Sequence, residues 1–392
     1  MQARRRWLRI AAAVVALFMV RCAAPPPGDG AGAPGLETPA DPPFDWDLPP
    51  GFPPPAVPPD NPMTTATVEL GRRLFYDERL SMDGSYSCAS CHQQALAFTD
   101  GRGRGIGVTG ERHPRGSMSL ANVAYAASLT WAHPLLTSLE RQAQLPMFGD
   151  APVELGLRSP EELEQLLAQI PEYPALFRAA FPGEPAPLTL LDTCRALASF
   201  ERSLISGRSG FDRWLMEGDE GAIGEDAKRG FSLFNTEKFE CYHCHGGFAF
   251  TDHVRFADQA FAQQLYHNTG LYNLDGRGAF PEPNTGVESV SEDPADMGRF
   301  KAPTLRNIAV TAPYMHDGSI ATLSEVLDHY AAGGRTVQDG PNAGIGSSSP
   351  LKSNFVRGFR MTEDERSDLL AFLKSLTDPA FLDDPAHADP WR

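Results

Sequence analysis

The hydrophobic positions of this chain fall mostly at helical spacing. Leu323, Val326, Leu327 and Tyr330 recur at i, i+3, i+4 and i+7 before Gly333-Gly334, which predicts a helix with Tyr330 on its inward face. The stretch from Leu188 to Leu204 is periodic around Leu191, Cys194 and Leu197, so Cys194 reads as an inert thiol on a buried stripe. Ser159-Pro-Glu-Glu162, Thr322-Leu-Ser-Glu325 and Thr362-Glu-Asp-Glu365 have the spacing of capping boxes, each opening an apolar-periodic stretch. Strand-like alternation is sparse. The pattern G-x-x-L-F occurs twice, as Gly71-Arg-Arg-Leu-Phe75 and Gly230-Phe-Ser-Leu-Phe234, each shortly before a cysteine pair. This echo predicts a mostly α fold of two related domains, 63–220 and 221–392, with the boundary in the Gly/Asp/Glu-rich stretch Glu217 to Gly224.

Ahead of these elements the pattern changes. Arg4, Arg5 and Arg6 followed by the apolar run Ile10 to Val20 have the regions of an export signal, placed at 1–22. Cys22 stands where a lipoprotein would be cleaved and acylated, although Arg21 replaces the usual small residue, so Cys22 is either a lipid anchor or lost with the signal. Arg5-Arg6-Trp7-Leu8-Arg9 also resembles a twin-arginine address. General secretion is preferred, and the expected compartment is the periplasm. From Ala23 to Pro62 there are 15 prolines and 5 glycines in 40 residues, which predicts an extended tether (23–62) and a folded protein beginning near Met63.

Composition narrows the chemistry. The 392 residues carry 50 acidic against 34 basic side chains, a net charge of −16 that argues against nucleic acid as a partner. Four of the six cysteines form Cys88-Ala-Ser-Cys91-His92 and Cys241-Tyr-His-Cys244-His245, both C-x-x-C-H, the attachment sequence of c-type haem. Two thiols add to the haem vinyl groups and the adjacent histidine ligates iron, so two covalently bound haems c and two cytochrome-c-like haem domains are expected. The competing reading is a closed four-thiolate zinc site. A trailing histidine on each pair, a separate repeat for each and the export signal favour haem. His243, between the thiols, is expected to point away from iron. Gly105-Ile-Gly107-Val-Thr-Gly110 is formally G-x-G-x-x-G, but no strand precedes it and no helix signal follows, so it reads as a loop beside the first haem.

Across roughly 63–380 the chain resembles the bacterial dihaem cytochrome c peroxidase and MauG superfamily. The likeness is carried by the two haem motifs, Trp131, Glu154 and the run Pro303-Thr-Leu-Arg-Asn-Ile-Ala-Val-Thr-Ala-Pro-Tyr-Met-His-Asp-Gly-Ser319. Within it the MbnH group is most similar, through Asn61-Pro-Met63, Leu70 to Asp77, Ser119 to Tyr125 and Asp328 to Gly334. In the peroxidases the second haem takes a methionine some fourteen residues after the histidine of the P-Y-x-H run, and here that position is Tyr330. An inward tyrosine alone is usually core; the resemblance implies that Tyr330 ligates the second iron, with His329 as rival. A hard phenolate favours oxidised iron where a soft thioether favours the reduced state.

The resemblance further implies that Glu154 assists peroxide cleavage, that Gln142 and Pro146 line that pocket, and that Trp131 relays electrons between the haems. It implies a calcium ion held at Asn122, Thr311 and Pro313, and places His316 and Arg306 beside the second haem or its propionates. His113 lies one residue out of register with a histidine that blocks the resting iron in peroxidases, and its role stays open. MauG carries a surface tryptophan two residues before its second motif; here Phe239 stands there, leaving Trp214 or Tyr242 as exits. The function expected is oxidation, by hydrogen peroxide, of a tryptophan to kynurenine on a secreted partner of the MbnP kind. The rivals are peroxide detoxification with electrons from a small cytochrome or another donor, and a plain dihaem electron carrier.

Overall fold

The computed structural model describes residues 42–392, so the export signal, Cys22 and the tether up to residue 41 lie outside it. Eight helices of two turns or more order the chain. They are α1 (Thr65–Tyr76), α2 (Pro160–Gln169), α3 (Tyr173–Ala180), α4 (Leu190–Ser203), α5 (Gly210–Glu217), α6 (Glu225–Phe234), α7 (Leu323–Ala331) and α8 (Glu363–Ser375). The strands among the described residues are one short antiparallel pair, β1 (Thr336–Val337) and β2 (Gly344–Ile345), with Thr336 opposite Ile345. None of the described helices is long and apolar enough to cross a membrane.

The predicted starts of α7 and α8 are full capping boxes: Thr322 accepts from Glu325 N at 3.2 Å while Glu325 accepts from Thr322 N at 2.8 Å, and Thr362 and Glu365 repeat the exchange. At α2 Ser159 caps Glu162 N, but the Glu162 carboxylate turns to Arg158 N at 2.6 Å, so this box is half made. In α4, Cys194 and Leu197 are buried as expected, whereas Leu191 is 55% exposed, because steps of three drift around the helix and leave it about 120° from Leu197.

The two G-x-x-L-F motifs sit at equivalent crossings. A Cβ on Gly71 would lie 1.9 Å from Ala196 O and 2.8 Å from Phe200 Cβ; one on Gly230 would lie 1.9 Å from Asp368 O and 2.8 Å from Phe372 Cβ. Only glycine lets α1 touch α4, and α6 touch α8, this closely. Around the first crossing Leu70, Leu74, Phe75, Phe98 and Phe177 form one core, and around the second Phe211, Phe234, Phe250 and Leu369 form another. A third cluster, with Leu271, Tyr272, Phe280, Phe300 and Tyr314, borders Trp131. Replacing Gly230 by Ala is expected to destabilise the fold by roughly 1–3 kcal/mol, since the helices must separate. Thermal melting against Gly183→Ala, whose added Cβ meets nothing within 4 Å, checks it.

Two boundaries differ from the sequence expectation. The body begins before Met63: Phe44 N donates to Met63 O, Tyr125 Oη donates to Pro53 O at 2.7 Å, and Ala257 N donates to Pro54 O at 2.9 Å. A proline-rich arm has few N–H groups to satisfy, so it can lie extended on the body and offer carbonyls. At the other end, Phe381, Leu382 and Trp391 pack on the first core, and Trp391 Nε1 donates to Arg73 O at 3.1 Å. The last turn of the chain therefore leaves the second half. Asp378 anchors the crossing, its Oδ2 accepting from Ser206 Oγ, Gly207 N and Arg208 N.

Candidate functional site

The first cysteine pair occupies a single helical turn, Cys88–Cys91, closed at its start by the bond from Ser87 N to Ser90 Oγ. His92 follows, with Nδ1 2.8 Å from Phe98 O. That carbonyl is presented by a left-handed turn, φ 49° at Ala97 and 61° at Phe98. Nδ1–H donating to a carbonyl leaves Nε2 with the lone pair that iron needs. Burial pushes the imidazole below its ordinary pKa, which keeps it neutral.

His92 opens on a cavity of about 520 Å³, also lined by Cys88, Cys91, Trp131, Gln142, Pro146 and Glu154. A space of this size suits a large ligand. The glycine run forms its wall: a Cβ on Gly107 would lie 1.8 Å from Val153 O, and Val108 N donates to Glu154 O at 2.8 Å. This close approach positions Glu154, whose carboxyl burial pushes up. His113 Nδ1 accepts from Arg115 N, so Nε2 carries the proton and lies 3.8 Å from Glu154 Oε1. The one residue left open by sequence thus faces the candidate acid-base group.

Trp131 donates Nε1–H to Gly116 O at 2.8 Å and lies between this cavity and the third cluster. Gly116 N in turn donates to His316 O. Asn122, Thr311 and Pro313 line the same cavity. Asn122 is already bonded to Ser206 through both amide atoms, Oδ1 accepting from N and Nδ2 donating to O, while Thr311 Oγ1 donates to Ile308 O. The oxygens available to a hard cation here are therefore spare lone pairs and carbonyls, with no carboxylate among these three residues.

The second pair repeats the logic. Cys241–His243 is one 3-10 turn, His245 Nδ1 lies 3.2 Å from Phe250 O, and Phe250 has φ 49°. Tyr330, on α7, is half-buried; its hydroxyl makes no hydrogen bond to a described residue, and the Cys244 and Cys241 thiols are the groups that act on it electrostatically. Burial, then those thiols, push its pKa above the usual phenol range. His329 points elsewhere: the charges acting on it are Arg335 and Lys352, and burial pushes it down to about 4. Neighbours on a helix project about 100° apart, so only one of the two can face the thiols. That one is Tyr330.

The donor chemistry fits two covalently attached haems and not zinc. The two cysteine pairs belong to different cores, and no four-thiolate cluster forms among the described residues. Phe239 is buried against Phe359 at a 4.8 Å ring separation. Arg306 is committed to Asp212 by bonds of 2.9 and 3.0 Å and to Phe248 O at 2.8 Å, so it ties α5 into the second core. Burial alone would raise the Asp212 carboxyl, but Arg306 and Ser209 hold it below the usual range. His316 stacks on Phe300 at 3.9 Å with Nε2 unbonded. Sequence reasoning missed the carbonyls of Phe98 and Phe250, which carry no residue-type signal. It also missed the His267–Asp252 pair at 2.6 Å beside Cys244, where burial pulls His267 down but Asp252 and Cys244 together push it up to about 10.

Comparison with known proteins agrees with this geometry. The family model for di-haem cytochrome c peroxidase matches residues 65–221. The methylamine utilization protein MauG of Methylorubrum extorquens is 39% identical over 325 residues, 82% of this chain and 81% of that protein. Cytochrome c551 peroxidase of Nitrosomonas europaea is 31% identical over 316 residues, 81% of each chain. A solved structure described as a MauG-like protein associated with microbial copper homeostasis superposes with a TM-score of 0.86 at 47% identity, covering 89% of this chain and 100% of the other. With both attachment sequences present in a mostly helical frame, the protein carries two haems c and is a haem-dependent, peroxidase-type oxidoreductase. The chain belongs to the dihaem cytochrome c peroxidase and MauG family.

Proposed function

We propose that this is an exported periplasmic enzyme that uses hydrogen peroxide to oxidise a tryptophan on a secreted partner protein to kynurenine. The observation that carries the reading is the half-buried Tyr330 hydroxyl, without a hydrogen bond to a described residue and within electrostatic reach of the Cys241 and Cys244 thiols. A phenolate there makes the second centre a store of oxidising power instead of an electron donor. Two cytochrome-c-like domains related by an internal repeat hold the haems, a reading supported by the matched glycine crossings. His92 and His245 would hold the two irons through Nε2, and Tyr330 would be a further ligand at the C-terminal haem. The haems supply the redox centres. Glu154 moves a proton from the inner to the outer peroxide oxygen, Gln142 and Pro146 shape the pocket, and Trp131 passes electrons across. A calcium ion at Asn122, Thr311 and the Pro313 carbonyl braces the two halves. Cys22 is a candidate lipid anchor.

The copper-homeostasis description of the 47% identical structure supports a copper-binding partner of the MbnP kind. Kynurenine requires two peroxide equivalents: two oxygens enter the indole to give N-formylkynurenine and two waters leave, after which hydrolysis releases formate. The exit from the second haem runs through Tyr242. It lies between the two haem-bearing cysteines and donates its hydroxyl to Glu237, a carboxylate able to take the proton as the phenol is oxidised. Trp214 instead has the Lys228 ammonium 5.9 Å from its ring, which disfavours a positive charge on the indole.

Incubating the holoenzyme with peroxide and the co-secreted partner, then mapping partner mass by peptide, tests the reading: kynurenine at one tryptophan is expected. Tyr242→Phe is expected to slow that conversion by roughly tenfold or more, with Trp214→Phe near wild type. The similarity to cytochrome c551 peroxidase favours peroxide detoxification as the second reading. Fast steady-state turnover with a reduced small cytochrome and an unmodified partner is the result that selects it.

A further inference from the structure

The turn that leads into the second haem motif reads Glu237-Lys-Phe-Glu240-Cys-Tyr-His243, with acceptor side chains at i, i+3 and i+6. Ligand atoms of Glu237, Glu240 and His243 all lie within 4.8 Å of one another. His243 Nε2 is 2.8 Å from Glu240 Oε2 and 3.9 Å from Glu237 Oε2. The first contact is not a hydrogen bond. His243 Nε2 and Glu240 Oε2 are both buried without a hydrogen-bond partner, although the Glu240 side chain is only 10% exposed. With a charged imidazole the contact is an ion pair; with a neutral one, two lone-pair atoms held this close and out of line for a shared proton call for a cation between them. Ligands at about 2.0–2.1 Å from a metal at near-right or tetrahedral angles sit about 2.9–3.4 Å apart, close to the spacing of this pair.

The surroundings hold the donors in place. The His243 ring stacks on Phe355 at 4.2 Å and 17°, which fixes its plane. Arg357 approaches the other oxygen of Glu240, leaving Oε2 to the site, and the Tyr242 hydroxyl orients Glu237. Glu237 is exposed, so an ion can enter from solvent. We propose that Glu237, Glu240 and His243 form a binding site for a divalent first-row transition ion. One imidazole and two carboxylates suit Zn²⁺ and Cu²⁺, with Cu²⁺ the tighter in the usual affinity order. The site uses none of the groups assigned to peroxide cleavage at the first haem; it shares Glu237 with the Tyr242 exit, so an ion bound there competes with Tyr242 for that carboxylate. It is independent of which substrate the enzyme oxidises.

Calorimetric titration of untagged, chelator-treated holoenzyme with Zn²⁺ is expected to show one ion per chain. Cu²⁺ is expected to give an electron paramagnetic resonance signal with coupling to one nitrogen, and to broaden the ferric signal of the second haem. Because His243 lies within the haem attachment sequence, the variants are His243→Gln and Glu240→Gln, both compared at equal haem content. Each is expected to weaken Zn²⁺ binding by about tenfold or more, while Glu288→Gln binds as wild type. Wild-type holoenzyme that takes up no stoichiometric ion, or both variants binding as tightly as wild type, overturns the proposal.

Discussion

Tyr330→Phe is expected to abolish partner oxidation while leaving the first haem reactive. The substitution keeps the half-buried ring and removes only the oxygen. Folding should therefore survive, because the hydroxyl makes no hydrogen bond whose loss would be felt. Without a hard anionic ligand the C-terminal centre no longer favours its oxidised state, and kynurenine formation is expected to fall by about a hundredfold or more. Peroxide consumption with a small artificial reductant should stay within a few fold of wild type. Tyr330→Met carries the argument further. A thioether favours reduced iron, so this variant should gain turnover with reduced cytochrome as it loses protein oxidation. Partner conversion by mass spectrometry and stopped-flow peroxide decay, run on the same samples, separate the two effects.

The second large effect is expected at Glu154. A positioned proton carrier of this kind is worth roughly 10²- to 10⁴-fold, so Glu154→Gln should slow the reaction of ferric enzyme with peroxide by that order. The side chain must first accept a proton, so its carboxylate is the active form. Burial raises the pKa, so the carboxylate is lost on acidification at a pH above the usual carboxyl range. The peroxide rate should therefore fall as pH drops through that raised value, and Glu154→Gln should lack this acid limb. A flat profile in wild type would assign proton transfer to another group.

Much of the site was legible because it is written in residue types at fixed spacing. The C-x-x-C-H motifs specify two thioether attachments and a ligand each, and the comparisons bear out a dihaem peroxidase family. The paired G-x-x-L-F signal marked a real constraint, since both glycines sit where a Cβ would strike a backbone carbonyl. The rest depends on backbone shape. The carbonyls of Phe98 and Phe250 act through left-handed turns at non-glycine residues, which no composition announces. Leu191 shows the weakness of counting in threes: three-residue steps drift around a helix, and one of three leucine-cysteine positions faces solvent. The proline-rich arm was misjudged at its C-terminal end because a segment that cannot build a core can still be bound by one. Arg306, expected beside the second haem or its propionates, is held by Asp212, 94 residues away in sequence, a partner that no spacing announces.

The choice between Tyr330 and His329 shows what geometry adds. Spacing put both on one helix, and burial alone favours His329, which is 5% exposed with both ring nitrogens unbonded, over the half-buried Tyr330. Their electrostatic neighbours differ, two thiols for the one and two cations for the other, and that assigns the face.

Resonance Raman spectroscopy of the ferric holoenzyme, excited in the phenolate-to-iron charge-transfer band, tests the central claim most directly. Phenolate ring modes and an iron–oxygen stretch that vanish in Tyr330→Phe and persist in His329→Gln are the predicted result. A spectrum free of phenolate modes in wild type, with the signature of a sulfur or imidazole ligand on the C-terminal haem, would contradict the account.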